Sequence, residues 1–133
     1  MADFISHSEE ETIAWAEAYA KSLRPGDVVL LEGEMGAGKT ALTKGIARGL
    51  GIREEVTSPT YAYMNSYGDK LFHYDCYRIS SEAQAENLGL CDYFDAGGVC
   101  VIEWSENIRG LLPAGCKKIT LVKTGERERV IRV

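Results

Sequence analysis

The stretch "DVVLLEGEMGAGKTALTKGIARGLG", residues 27–51, narrows the possible folds more than any other part of the chain. Val28, Val29, Leu30 and Leu31 run without polar alternation. Such a run is the mark of a strand buried on both faces, and hence of a parallel sheet with helices on either side. After the glycines, Leu42, Ile46 and Leu50 recur on one helical stripe, with Gly51 placed to cap the C-terminus. Strand, glycine loop and helix follow in the order that a phosphate-binding turn requires.

Other segments read as further parts of the same layered structure. "SEEETIAWAEAYAKSLRPG" offers Ser8 and Glu11 at capping-box spacing, then Trp15, Tyr19 and Leu23 at helical intervals, and predicts an amphipathic helix stopped at Pro25 and Gly26. "TYAYMNSY" and "KLFHYDCY" are β-prone runs around Gly68 and Asp69, a predicted hairpin. "SEAQAENLG" predicts a short helix, with Ser81 and Gln84 as a capping pair and Gly89 as its stop. "GVCVIE" is a second run of the buried parallel type, and it ends on an acid, Glu103. "SENIRGLLP" reads as a short helix or turn, and "KKITLVK" with "RERVIRV" as a closing strand pair around Thr124 and Gly125. With no repeat, low-complexity tract or linker, the sequence predicts one α/β domain over residues 1–133: three layers, with a mainly parallel central sheet and antiparallel edge strands.

Gly33, Gly38, Lys39 and Thr40 fill every fixed position of the GxxxxGK[ST] pattern, so the expected fold is P-loop NTPase-like. Glycines let the backbone come close to a ligand and point successive N–H groups at phosphate oxygens, while the helix N-terminus adds a partial positive charge. Met35, Gly36, Ala37, Gly38, Lys39, Thr40 and Ala41 are therefore the expected nucleotide-binding segment. Lys39 would bridge the β- and γ-phosphates as a point charge, and the Thr40 hydroxyl would ligate Mg²⁺. A tight turn that binds nothing needs a glycine but does not need Lys and Thr together.

A hydrolase of this kind also needs an acid near the metal, at the end of the strand beside the glycine-loop strand. Glu103 fits that place better than a surface Glu that merely closes a strand, because the run before it reads as central. Asp75 in "HYDCYR" is the second acid. Two readings fit it: holding or orienting a water at the metal site, or an ion pair with Arg78. Arg78 in turn suits either a phosphate or an ion pair with Asp75 or Glu82. His73 shares the face of Asp75 if both lie in one strand, and a lone histidine reads as structural. Trp104 reads as packing rather than base stacking. "TSPTY" places three aliphatic hydroxyls around Pro59 after the helix, suited to a switch-like segment that senses the γ-phosphate or to an ordinary turn.

The 133 residues are 45% hydrophobic and 26% charged, enough for a sizeable core without a metal or disulfide staple. Cys76, Cys91, Cys100 and Cys116 show no CxxC or zinc spacing and read as buried or bystander thiols of a reducing compartment. No apolar run approaches membrane-span length, and "MADFISHSEEE" lacks a basic or apolar leader pattern, so a cytoplasmic protein is expected. The net charge of -5 argues against autonomous nucleic-acid binding. The locally basic C-terminal segment alternates its charges with apolar residues and reads as a solvated strand face.

Four patches in fixed order, "GEMGAGKT", "SPTY", "HYDCYR" and "IEWSE", resemble the TsaE (YjeE) family of small bacterial P-loop ATPases of tRNA threonylcarbamoyladenosine synthesis. The likeness runs from the first helix to the closing strands. The glycine loop alone is common to many families; the HxDxYR and EWxE patterns after an SPT make the match specific. The resemblance implies an ATPase that uses ATP and Mg²⁺ and works when assembled with TsaD-like and TsaB-like partners, resetting their complex while those partners handle the tRNA. By position it implies that Lys39 and Thr40 are phosphate and Mg²⁺ ligands, that Glu103 is the metal-site acid and Asp75 the other active-site acid, and that Ser58 and Thr60 form the switch-like segment. Tyr61 stands where many members have Phe. The tail "GERERVIRV" matches loosely, leaving an adenine or phosphate contact from Arg127 or Arg129 open.

Three other readings compete. A small-molecule kinase would need an acceptor pocket and an arginine-bearing lid, for which the chain has little length, and "SEAQAENLG" carries no Arg. A GTPase would need an NKxD-type motif, which the sequence lacks. A nucleotide-gated binding module, with hydrolysis incidental, would use the same Lys39, Thr40 and Glu103.

Overall fold

The computed structural model describes residues 3–34, 36–59 and 62–133. Its elements in chain order are β1 (Phe4–Ser6), α1 (Glu9–Ala20), β2 (Val28–Glu32), α2 (Lys39–Gly49), β3 (Met64–Tyr67), β4 (Leu71–Asp75), α3 (Glu82–Asn87), β5 (Val99–Glu103), β6 (Lys117–Lys123) and β7 (Arg129–Arg132). Two 3₁₀ segments, Leu90–Tyr93 and Ser105–Leu111, flank β5. The strands form one sheet in the order β1-β7-β6-β2-β5-β4-β3. β6, β2, β5 and β4 run parallel, and β1, β7 and β3 join antiparallel toward the edges.

The unbroken apolar runs of β2 and β5 lie at the centre because both faces of the sheet are covered. Successive strand side chains point to opposite faces, so Val29 and Leu31 of β2 enter one apolar cluster while Val28 and Leu30 enter the other. Val99 and Val101 of β5 and Leu71 of β4 share the first cluster with Leu42 and Ile46 of α2. Cys100, Ile102, Phe72 and Tyr74 share the second with Ala85 of α3 and the 3₁₀ segments. The expected closing pair is present in β6 and β7, but β6 also pairs in parallel with β2 and is an inner strand.

Helix α1 begins where its capping residues place it: Ser8 Oγ accepts from the Glu11 N–H at 3.1 Å. Glu11 closes its side of the cap on the His7 N–H at 2.9 Å, one residue earlier than a standard capping box. Two features differ from the sequence expectation. The helix ends at Ala20, well before Pro25, and its deepest face is Ile13, Ala16 and Ala20, with Trp15, Tyr19 and Leu23 only half-buried at the margin. The cause is the neighbouring helix. A Cβ at Gly45 of α2 would lie 2.3 Å from Ile13 O and 2.5 Å from Ala16 Cβ, and one at Gly49 would lie 2.5 Å from Ala20 Cβ. The backbones approach so closely that only glycine and alanine fit the seam, and the bulky aromatics are displaced to its rim. At its other end α2 closes on a Schellman pair, the Ile52 N–H to Ala47 O at 2.9 Å and the Gly51 N–H to Arg48 O at 3.0 Å.

All four cysteines are free thiols. Burial pushes the Cys76 thiol up to about 12, with the Asp75, Glu103 and Glu106 carboxylates adding to the effect. Burial likewise pushes Cys100 up to about 11. Among the described residues no helix is long and apolar enough to cross a membrane.

Two outcomes follow from this packing. Helix propensity alone would make Gly45→Ala stabilising by up to about 1 kcal/mol. The seam reverses the sign, and urea unfolding should show a loss of about 1–3 kcal/mol. Iodoacetamide at pH 8, read by peptide mass spectrometry, should label the half-buried Cys91 and Cys116 in the folded protein while Cys76 and Cys100 react only on unfolding.

Candidate active site

Three parallel strands end at one level. The register sets Leu31 of β2 beside Glu103 of β5, and Glu103 beside Asp75 of β4. The ladder continues one step further, with the Cys76 N–H donating to Glu103 O at 3.0 Å. By the two-residue period, His73, Asp75 and Glu103 fall on the α2 face of the sheet, the face of Leu71 and Val101. The carboxyl ends of the strands therefore present two acids and a histidine directly beneath the N-terminus of α2.

The glycine loop bridges β2 to α2. Gly33 cannot carry a side chain, because its Cβ would meet Leu121 O of β6 at 2.6 Å. Gly38 is the N-cap of α2 and offers no side-chain acceptor, which leaves the first-turn N–H groups of the helix facing outward without a cap. Arg129 of β7 grips the loop from behind: its Nε donates to Ala37 O at 2.8 Å, and its Nη1 donates to the Gly125, Glu126 and Glu128 carbonyls of the β6–β7 turn. The guanidinium is thus committed to carbonyl oxygens and braces the loop.

Lys39 is buried at 7% exposure, and three neighbours hold its ammonium. Nζ donates to Gly33 O at 2.9 Å, lies 4.0 Å from Glu103 Oε1, and stands 4.4 Å from the centre of the Trp104 ring. A cation over the face of a half-buried indole gains about 1 kcal/mol, which helps to offset the loss of water around the buried charge. Trp104 has left-handed backbone, φ 57° and ψ 42°, and its ring also meets Tyr77 at 4.9 Å between centres. The packing read from the sequence is present, since Trp104 packs against the second apolar cluster, and its ring in addition forms a wall of the cleft and covers the lysine.

Glu103 is buried as well. Its Oε2 accepts from His73 Nε2 at 2.6 Å, and His73 itself is completely buried. A carboxylate removed from water is costly unless it is paired and hydrogen-bonded. His73 and Lys39 supply those partners. Asp75 Oδ1 accepts from the Tyr77 N–H at 3.0 Å, so its second oxygen is not engaged by that turn. Asn107 ties the segment down from the far side through Nδ2 to Cys76 O at 2.8 Å. Ser58 Oγ lies 3.4 Å from Thr40 Oγ1, which brings the loop after α2 to the first turn of that helix.

Gly36, Gly38, Lys39, Thr40, Ser58, Asp75, Glu103 and Trp104 line one open cleft of about 300 Å³. Of the residues singled out in the sequence, Lys39, Thr40, Asp75, Glu103 and Ser58 therefore converge. The Ala37 and Ala41 side chains are buried, and Ala41 and Gly38 border a second cleft of about 440 Å³ with Ser8, Glu126, Arg127 and Arg129. Met35, Thr60 and Tyr61 lie outside the described residues. Among the described residues no group of three or more His, Cys, Asp or Glu could hold a metal alone. Thr40, Asp75 and Glu103 instead offer a hydroxyl and two carboxylates, the hard oxygen donors that Mg²⁺ takes a few at a time while keeping waters and ligand phosphates. His73 was visible in the sequence only as a neighbour of Asp75; its bond to Glu103 depends on the β4–β5 register.

A mainly parallel sheet with a glycine loop, a lysine and two carboxylates beyond its central strands defines an α/β protein whose site opens at the strand ends. Residues 6–131 match the family model described as Threonylcarbamoyl adenosine biosynthesis protein TsaE, and the chain belongs to that family. The tRNA threonylcarbamoyladenosine biosynthesis protein TsaE of Bacillus subtilis is 46% identical over 125 residues, spanning 92% of this chain and 78% of its own length. The protein of the same name from Treponema pallidum is 38% identical over 131 residues, spanning 97% of each chain. Among solved structures, Bacillus subtilis YdiB superposes with a TM-score of 0.79 at 38% identity, covering 98% of this chain and 82% of that one.

If Arg129 braces the loop, Arg129→Ala should speed amide hydrogen exchange at residues 36–39 by about tenfold, the equivalent of roughly 1.5 kcal/mol for a charged hydrogen-bond donor. Exchange in β2 and β5 should stay unchanged, as read by mass spectrometry.

Proposed function

We propose that this chain is an ATP-binding, ATP-hydrolysing component of the machinery that makes threonylcarbamoyladenosine in tRNA. It works with TsaD-like and TsaB-like protein partners and resets their complex for further rounds. The observation that carries the reading is the single cleft in which Lys39 and Thr40 of the loop face Asp75 and Glu103 of adjacent strands. The family membership supplies the biological setting.

In this reading the fold is a P-loop NTPase fold, and the loop around Gly36, Ala37 and Gly38 receives the phosphates together with the uncapped first turn of α2. Lys39 leaves Gly33 O and pairs with the β- and γ-phosphate oxygens. Thr40 and Glu103 would hold Mg²⁺, which supplies charge neutralisation at the transferring phosphoryl group. Asp75, with one oxygen not engaged by the Tyr77 turn, orients the attacking water as it approaches the γ-phosphate. Ser58, next to Thr40, reports the phosphate to the switch-like segment that includes Thr60. The larger cleft beside Arg127 is the side toward which the nucleoside end would extend. Acidic overall and suited to docking on proteins, the chain would meet tRNA through its partners, in the cytoplasm.

The buried Lys39, held by Gly33, Glu103 and Trp104, favours weak activity alone and stimulation by partners. ATP hydrolysis should therefore rise on adding TsaD-like and TsaB-like proteins, and Lys39→Ala should lower the stimulated rate by about 10²–10³-fold. Full activity of the isolated chain would count against partner control. Tight ATP binding with no turnover in any mixture would make the chain a nucleotide-gated binding module.

A further inference from the structure

We propose that His73 is a positioning residue for Glu103: it occupies one carboxylate oxygen and thereby turns the other into the cleft, where the metal ion would be held. The inference rests on the Mg-ATP reading of Glu103 above and adds to it a residue that the reading does not use.

The geometry is specific. His73 and Glu103 lie on adjacent parallel strands, with His73 beside Val101 and Glu103 two residues further on, so the two side chains meet diagonally on one face. His73 Nε2 and Glu103 Oε2 are 2.6 Å apart, while Glu103 Oε1 is turned toward Lys39 Nζ at 4.0 Å. A carboxylate only accepts, so the imidazole donates through Nε2. Nδ1 has no partner among the described residues, although the ring is wholly buried.

That orphaned nitrogen distinguishes the two explanations. A histidine kept for packing would be bettered by an apolar side chain of similar size, which fills the space with no unpaired polar atom. Among the described residues the one bond that the ring makes is to Glu103, and it fixes the plane of a carboxylate that otherwise turns about its last torsion. Carboxylates that ligate metals are commonly hydrogen-bonded in this way, and loss of the partner costs about 10–100-fold in metal affinity.

The test is Mn²⁺ binding, used as a paramagnetic stand-in for Mg²⁺, to the protein with bound ATP analogue, read from the electron paramagnetic resonance of free Mn²⁺. Analogue binding in EDTA and the melting temperature are measured separately. His73→Leu should weaken Mn²⁺ binding by about tenfold or more while leaving metal-free analogue binding within about twofold. His73→Gln, whose side-chain amide can donate from nearly the same place, should recover most of the loss. Wild-type Mn²⁺ affinity in His73→Leu would overturn the proposal, and so would equal weakening in both variants. A result that needs no variant comes from imidazole ¹⁵N resonances, which are simple to assign because the chain has two histidines. Adding Mg²⁺ to the analogue complex should move the His73 signals, and unmoved signals would also overturn the proposal. Glu103→Gln checks the parent reading: if it keeps Mn²⁺ affinity, the metal role of Glu103 falls and takes this inference with it. If it loses affinity and His73→Leu does not, only the role of His73 falls.

Discussion

The parallel register of β2, β5 and β4 is the constraint on which the rest of the molecule depends. It sets Leu31, Glu103 and Asp75 side by side, one residue short of the glycine loop on β2. A slip of one position in β5 would turn Glu103 toward the cluster of Phe72, Tyr74 and Ile102 and send Val101 the same way, so every side chain of the strand would face the wrong environment. The apolar runs that secure this alignment do not line the cleft. Their burial nonetheless decides where the acids end up, which ties the chemistry of the cleft to packing on both faces of the sheet.

The loop is secured with similar economy. Arg129 holds its outer carbonyls, Lys39 holds the Gly33 carbonyl from within, and the backbone of β6 presses against Gly33. Two cations on carbonyl oxygens leave the amide side of the loop as the face open to anions, in keeping with the partial positive charge of a helix N-terminus. Glu103 and Trp104 are adjacent in sequence yet serve the lysine differently, one as counter-charge and one as an aromatic lid.

Much of this was legible in the sequence wherever the signal is local. The runs "VVLL" and "VCVI" named the central strands, Ser8 and Ser81 named two helix starts, and the residues around Gly68 marked the hairpin of β3 and β4. Gly36, Gly38, Lys39, Thr40 and both acids could be picked out by spacing, and they line one cleft. What escaped was set by partners distant in the chain. The inner face of α1 presents Ala16 and Ala20 to the neighbouring helix rather than its aromatics, because of Gly45 and Gly49 in that helix. His73 gained its meaning from a strand 30 residues on. Arg129 looked like a candidate ligand contact and proved to be committed to carbonyls 92 and 93 residues away. Trp104 adopts a left-handed backbone that its side chain gives no reason to expect. The strand Phe4–Ser6 is too short for a period to show.

That short strand bears on how the molecule is made. β1 finds its ladder partner in β7, with Phe4 beside Ile131, and β2 lacks one of its neighbours until β6 has been synthesised. Contacts of such long sequence separation form late and slowly. On the ribosome, the glycine loop and α2 emerge long before the arginine that braces them, so a nascent chain carries the complete glycine-loop pattern on an unfinished sheet. The last few dozen residues, which line little of the main cleft, convert that motif from a sequence pattern into a rigid object.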